Sequence, residues 1–239
     1  MRIVAVRDHE ALSRLTADLM VAELIQRRSP LFSCIPGRTP RRSYEIFRER
    51  VRTEKLPVEG LRHVQMNEWV GLGSHDDGSF AHDLEDLLLG PIGVTAERRI
   101  VFNGLATDLY GECHRVQQAL TSHGPIDLMI LGLGVNGHVA FNEPGGMLSP
   151  NAHLAELTAA TRDAHRSPAR EGEQPEDGMT LGFADIMAAR RVMILVSGKH
   201  KAAQMARLQK QDVTTEFPAS MLWMHPQAVC IADQDALGR

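Results

Sequence analysis

The sequence is short of cysteine, has no strong excess of either charge and contains no long apolar run, and each shortage removes a class of protein. Cys34, Cys113 and Cys230 are odd in number and far apart, which favours reduced, buried and inert thiols over a disulfide framework or a cysteine metal site. Lys plus Arg number 26 against 30 Asp plus Glu, a net charge of -4. Such a chain has no general attraction for nucleic acid or an anionic membrane, so an anionic ligand must be held by a local site. Nowhere do about 18 apolar residues follow one another, and the opening MRIVAVRDHEALSRL carries charges every few residues where a signal peptide has its apolar core. A cytoplasmic protein without membrane or nucleic-acid partners is expected. Internal repeats and low-complexity tracts are also missing.

What remains is a 239-residue chain with 43% hydrophobic and 23% charged residues, the balance of a soluble globular protein. A single domain over 1–239 is the simplest reading at this length. Seven short apolar runs read as buried strands: RIVAV, LFSCI, LRHVQM, RIVF, DLMILGLG, RVMILV and AVCIA. Helical patterns lie between them over Glu10–Arg28, Pro40–Arg50, Ala81–Leu89, Asp108–His123 and Lys199–Lys210. The alternation predicts an α/β fold of Rossmann-like type, a mostly parallel sheet with helices on both faces. Ligands of such sheets sit beyond the carboxyl ends of the strands, so the loops that follow strands are where chemistry belongs. One stretch breaks the rhythm: 151–178, with TRDAHRSPAREGEQPEDG, is polar and long for a connection, and reads as a lid or a passive surface excursion.

Three loops are unusual. In CIPGRTP, a strand runs through Gly37, Arg38 and Thr39 into a helix, an arrangement that offers a phosphate free N–H groups and a positive helix end; an ordinary turn, with Thr39 as N-cap and Pro40 as first helical residue, uses the same residues. In QMNEWVGL, Asn67 and Glu68 stand at a strand end and point to opposite faces, so that one of them could face a cleft; a turn closed by the Asn side chain is the alternative. The richest is LGLGVNGHVAFNEPG. Its Gly132, Gly134 and Gly137 follow a strand, and His138 and Glu143 lie five residues apart, a pairing suited to proton transfer near neutral pH. A structural histidine remains the competing reading. The glycines do not form a dinucleotide fingerprint in its expected place, and the Walker lysine is missing.

LGLGVNGHVAFNEPG resembles the signature of glucosamine-6-phosphate deaminases, and CIPGRTP, MNEWVGL, MTLGFADIMAARRVMILVSGKHKA and PASMLWMHPQAVCIAD stand in that family's order and spacing over nearly the whole chain. EWV, VNGH and PASMLWMH are similar to the galactosamine-6-phosphate deaminase/isomerase branch. The 6-phosphogluconolactonases are more distant relatives that usually lack FNEP. The resemblance implies an amino-sugar-6-phosphate isomerase/deaminase that needs no metal or cofactor, acts on a small phosphosugar and commonly forms a homo-oligomer. It implies that His138 opens the sugar ring with Glu143 beside it, that Gly37, Thr39 and Gly137 belong to substrate-holding loops, and that Lys201, otherwise an ordinary solvated helix residue, reaches the phosphate.

Three departures qualify this. Asn67 occupies the place of the Asp that moves the substrate proton, and an amide cannot be that base, so Glu68 or Glu143 becomes the candidate replacement. Asn136 occupies the place of a second Asp, as in the galactosamine branch. Arg38 occupies the place of a small residue and either adds a cation for the phosphate or fills space meant for it. A further phosphate arginine of the family aligns near Ser167, with Arg166 one position before. Lactone hydrolysis, another phosphosugar isomerisation and a catalytically impaired sugar-phosphate binder stay open as alternatives.

Overall fold

The computed structural model describes residues 1–164 and 175–239. Its strands are β1 (Arg2–Val6), β2 (Leu31–Ser33), β3 (Arg62–Val64), β4 (Asn67–Trp69), β5 (Arg99–Ile100), β6 (Leu128–Gly132), β7 (His153–Glu156), β8 (Asp177–Thr180), β9 (Val192–Val196) and β10 (Ala228–Asp233). Its α-helices are α1 (His9–Gln26), α2 (Arg38–Glu54), α3 (Phe80–Leu84), α4 (Leu109–His123), α5 (Ala159–Ala164), α6 (Phe183–Ala188) and α7 (Ala202–Gln209). The seven apolar runs form one sheet in the order β1-β10-β9-β6-β2-β3-β5, with every neighbouring pair parallel.

Strands buried on both faces explain those unbroken apolar runs. In β6, Leu128 and Ile130 pack with α1 and α2, whereas Met129 and Leu131 turn to the opposite core with Val116 of α4 and Met205 of α7. In β9, Met193 and Leu195 share the first core, and Val192, Ile194 and Val196 the second. Local chemistry starts the helices between them. Asp8 accepts from the Ala11 N–H at 2.8 Å at the head of α1, and Asp108 accepts from the Gly111 N–H at 2.9 Å at the head of α4, each satisfying a backbone donor that a helix leaves open.

Two readings of the sequence need correction. LRHVQM and NEW do not form one strand, because β3 ends at Val64 and β4 leaves the main sheet for a second, three-stranded sheet ordered β4-β8-β7. Its pairings are antiparallel, with Asn67 opposite Thr180 and His153 also opposite Thr180. An aromatic cluster fixes it to the body: Trp69 lies 4.9 Å from Phe141 and 5.5 Å from Phe80, centroid to centroid. The 151–178 stretch is therefore not irregular throughout. Its ends are β7, α5 and the start of β8.

Candidate active site

The chain order along the sheet reverses between β2 and β6: β2, β3 and β5 run outward to one edge, and β6, β9 and β10 toward the other. Loops leaving such a switch point diverge and open a crevice beyond the strand ends. Here it is a cleft of about 600 Å³, lined by Ile35–Arg41 after β2, Gly132–Val135 after β6, Ser197 and Lys201 after β9, and by Asn67 and His138.

One end is built for an anion. Gly37 caps α2 at φ 124°, without a side-chain cap, a backbone region that an L side chain enters only with strain. The first-turn donors of a 17-residue helix are thus left without a side-chain partner where the cleft begins, and the positive end of the helix lies there. The turn expected around Thr39 as N-cap is not what forms, since the helix already starts at Arg38. The Thr39 carbonyl instead accepts from His9 Nε2 at 2.9 Å, and the Ile35 carbonyl from the Tyr44 hydroxyl at 2.9 Å; both bonds brace the loop. Arg38, Arg41 and Lys201 add three cations to the lining. Lys201 Nζ donates to the Leu133 carbonyl at 2.7 Å, and burial, reinforced by the charge of Arg38, lowers its pKa below the usual lysine value. Bringing an anion there would relieve both effects.

The other end holds His138, which is 4% exposed. Gly134 allows its approach, because a Cβ there would collide with the imidazole. Gly137 turns the chain at φ 94° against the Phe217 ring and does not itself line the cleft. Asn136 Nδ2 donates to Glu143 Oε2 at 2.6 Å, so its Oδ1 faces His138 and accepts from the backbone N–H at 3.0 Å and from Nδ1 at 2.8 Å. A carboxylate only accepts, and that orients the amide; an amide oxygen only accepts, and that places the imidazole proton on Nδ1 and the lone pair on Nε2. Glu143 therefore meets the histidine through Asn136 and stands behind the cleft wall. Thr158 and Thr161, which the sequence gave no reason to single out, join this network from the start of α5.

Asn67 and Glu68 do point to opposite faces, and Asn67 is the one in the cleft. Glu68 is corrected as a site residue. Its carboxylate is 1% exposed and accepts from Gln65 Nε2, Ser79 Oγ and the N–H groups of Trp69, Phe80 and Ala81 at 2.8–3.0 Å. Burial raises its pKa, and those donors oppose the rise. Among the described residues, the carboxylates that do line the cleft are Asp83 of α3 and Asp163 of α5. Burial raises the pKa of Asp83, opposed by the charges of His82 and Arg41. The sequence offered one clue to Asp83: Phe80, Asp83 and Leu87 recur at helical spacing and share the cleft wall. Arg166 lies outside the described residues. Among the described residues, no group of three or more His, Cys, Asp or Glu side chains is arranged to hold a metal, and no helix is long and apolar enough to cross a membrane.

A family model described as glucosamine-6-phosphate isomerases/6-phosphogluconolactonase matches residues 8–231. The chain belongs to this family. It is 34% identical over 238 residues to the glucosamine-6-phosphate deaminase of Geobacillus sp. (strain WCH70), spanning 99% of this chain and 95% of that one. Glucosamine-6-phosphate deaminase 1 of Bacillus subtilis (strain 168) is 30% identical over 237 residues, spanning 99% and 98%. A solved structure of a monomeric glucosamine-6-phosphate deaminase superposes with a TM-score of 0.93 at 30% identity, covering 100% of this chain and 99% of that one. The 6-phosphogluconolactonase of Thermotoga maritima reaches a TM-score of 0.78 at 17% identity, with 98% and 99% covered, a likeness of fold alone.

Proposed function

We propose that the chain is a hexosamine-6-phosphate isomerase/deaminase, which converts glucosamine or galactosamine 6-phosphate and water to a ketose 6-phosphate and ammonia. The observation that carries this reading is the two-ended cleft: a helix N-terminus with Lys201 and Arg38 at one end, and at the other a buried imidazole whose tautomer is set by Asn136. Gly37, Arg38, Thr39 and Lys201 bind the phosphate, and Arg166 joins them when 151–178 closes as a lid over the sugar. His138 Nε2 takes the proton of the anomeric hydroxyl and delivers one to the ring oxygen, which opens the ring. Asn67 holds the open chain by hydrogen bonds, since an amide cannot take the C2 proton. That proton moves to C1 by way of Asp83 or Asp163, the carboxylates on the cleft wall; water then hydrolyses the resulting imine. The protein works in the cytoplasm. Self-association, which the family resemblance implies, is measured by sedimentation.

The test is a panel of glucosamine 6-phosphate, galactosamine 6-phosphate and 6-phosphogluconolactone, with ammonia, ketose and acid followed separately. Ammonia and ketose in equal amounts from one amino sugar is the expected result. Acid from the lactone alone would replace this reading with lactonase activity. Calorimetric binding of a phosphosugar with no product would make the protein a binder, a reading that Asn67 favours because general-base help is worth about 10²- to 10⁴-fold.

A further inference from the structure

The hydrogen bonds around His138 contain a second route to Glu143, made of two hydroxyls, of which Thr158 Oγ1 also accepts from Asn136 Nδ2 at 3.2 Å. Thr161 Oγ1 lies 3.0 Å from His138 Nδ1, Thr158 Oγ1 lies 3.1 Å from Thr161 Oγ1, and Thr158 Oγ1 lies 3.3 Å from Glu143 Oε2. Thr161 is wholly buried. Its N–H donates to Thr158 Oγ1 at 3.3 Å, so the turn that starts α5 also holds the two hydroxyls in line. Asn136 and this pair differ in chemistry. An amide orients its neighbours but does not pass a proton along, whereas a hydroxyl can release one proton as it accepts another.

We propose that Thr161 and Thr158 form a two-hydroxyl proton relay between His138 Nδ1 and Glu143, giving the carboxylate behind the cleft wall a part in ring opening. The inference rests on the isomerase/deaminase reading. As His138 Nε2 takes the proton from the anomeric hydroxyl, the Nδ1–H bond breaks and its proton passes to Thr161. The Thr161 hydroxyl proton passes to Thr158, and that of Thr158 to Glu143 Oε2. The imidazole ends neutral with its proton on Nε2, and Glu143 ends as the acid. Delivery of the Nε2 proton to the ring oxygen draws the chain back and restores the carboxylate, so protons balance over the step and no charge stays on the ring. Glu143 Oε1 is buried without a hydrogen-bond partner among the described residues, and a neutral carboxyl loses nothing at that atom.

Thr158 and Thr161 are positioning residues in this scheme, since they act through His138. The test uses the full chain with Thr161→Val, which keeps the shape and removes the hydroxyl, and Thr161→Ser, which restores it. Thr158→Asn, which keeps a cap for α5 but interrupts the hydroxyl chain, is the second site. Thr161→Val and Thr158→Asn are expected to lower kcat about 10- to 100-fold with KM within about twofold, and Thr161→Ser to stay within about threefold of the parent. A proton inventory in mixed light and heavy water is expected to bow in the parent and to straighten in Thr161→Val. Independently of turnover, ¹⁵N NMR of the His138 ring is expected to show a midpoint about 0.5 lower in Thr161→Val, because the protonated ring loses an acceptor. A Thr161→Val protein with kcat within threefold and an unmoved midpoint overturns the relay. Loss of kcat that Thr161→Ser fails to restore also overturns it, since packing then suffices. A parent that releases no ammonia from either amino sugar, together with the lowered His138 midpoint in Thr161→Val, overturns the deaminase reading and retains the Thr161 link.

Discussion

Glu68→Gln separates a catalytic carboxylate from a structural one, because it keeps the shape of the side chain and changes only what its atoms can accept. Glu68 Oε1 accepts from the Trp69 and Phe80 N–H groups at 2.9 and 3.0 Å, and Oε2 from Gln65, Ser79 and the Ala81 N–H at 2.8–2.9 Å. Whichever oxygen becomes the amide nitrogen, at least two buried donors then face another donor. Each orphaned donor costs about 1–3 kcal/mol, so the variant should lose about 2–6 kcal/mol of stability. For a chain of this size 1 kcal/mol moves Tm by about 2–4 °C, which gives a fall of roughly 4 to 24 °C by calorimetry. Activity per folded molecule, measured below that transition, should stay near the parent value, because the carboxylate faces away from the cleft. Burial also raises the Glu68 pKa in the fold above its ordinary 4.5. The folded state therefore binds that proton more tightly, and this group's contribution to stability falls as pH rises from 4.5 through the folded value. Glutamine should remove that slope. An unchanged Tm with kcat reduced a hundredfold or more would refute the structural role and make Glu68 the missing base.

Lys201→Met should raise KM for the phosphosugar about 10- to 150-fold while changing kcat far less, since a hydrogen bond to a charged group is worth about 1.5–3 kcal/mol and each 1.4 kcal/mol is tenfold; steady-state kinetics with and without competing inorganic phosphate reads both. Asp83→Asn and Asp163→Asn, made singly, should divide sharply, one losing about 10²- to 10⁴-fold in kcat together with solvent-deuterium incorporation at C1 and the other changing little; equal small effects in both would leave neither as the proton carrier. Burial pushes the Cys34 and Cys230 thiols up to about 12 from 9.0. The unfolded chain then sheds these protons first as pH rises above 9.0, costing the fold about 1.4 kcal/mol per thiol at about pH 10. Urea melts at pH 8 and 10 test the trend, and rapid labelling of either thiol in the native protein at pH 8 would contradict their burial.

The central sheet was legible because parallel strands covered on both faces must be apolar at successive positions, and DLMILGLG and RVMILV carry that pattern into β6 and β9. The second sheet was not. HLAE, DGMT and NEW are three- or four-residue segments without such a run, and they are held by ring packing among Trp69, Phe80 and Phe141, contacts between residues far apart in the chain. The burial of Glu68 was hidden for a related reason. Period-2 alternation sends Asn67 and Glu68 to opposite faces, as the structure has it, but which face is the cleft depends on the β4–β8 pairing and on where α3 lies.

The same limit applies within the histidine motif. Spacing brings His138 and Glu143 close but says nothing of what stands between them, and the structure puts an amide on one path and two hydroxyls on the other. Thr158 and Thr161 come from a polar stretch whose composition reads as surface loop. They become part of the site only because β7 returns beside β8 and sets α5 against the glycine-rich turn. The residues that tune the imidazole thus belong to the same excursion proposed as the lid, so movement of α5 would break the Thr161 bond to His138. On this arrangement, ring-opening competence depends on the position of α5 even for changes that leave the phosphate end untouched.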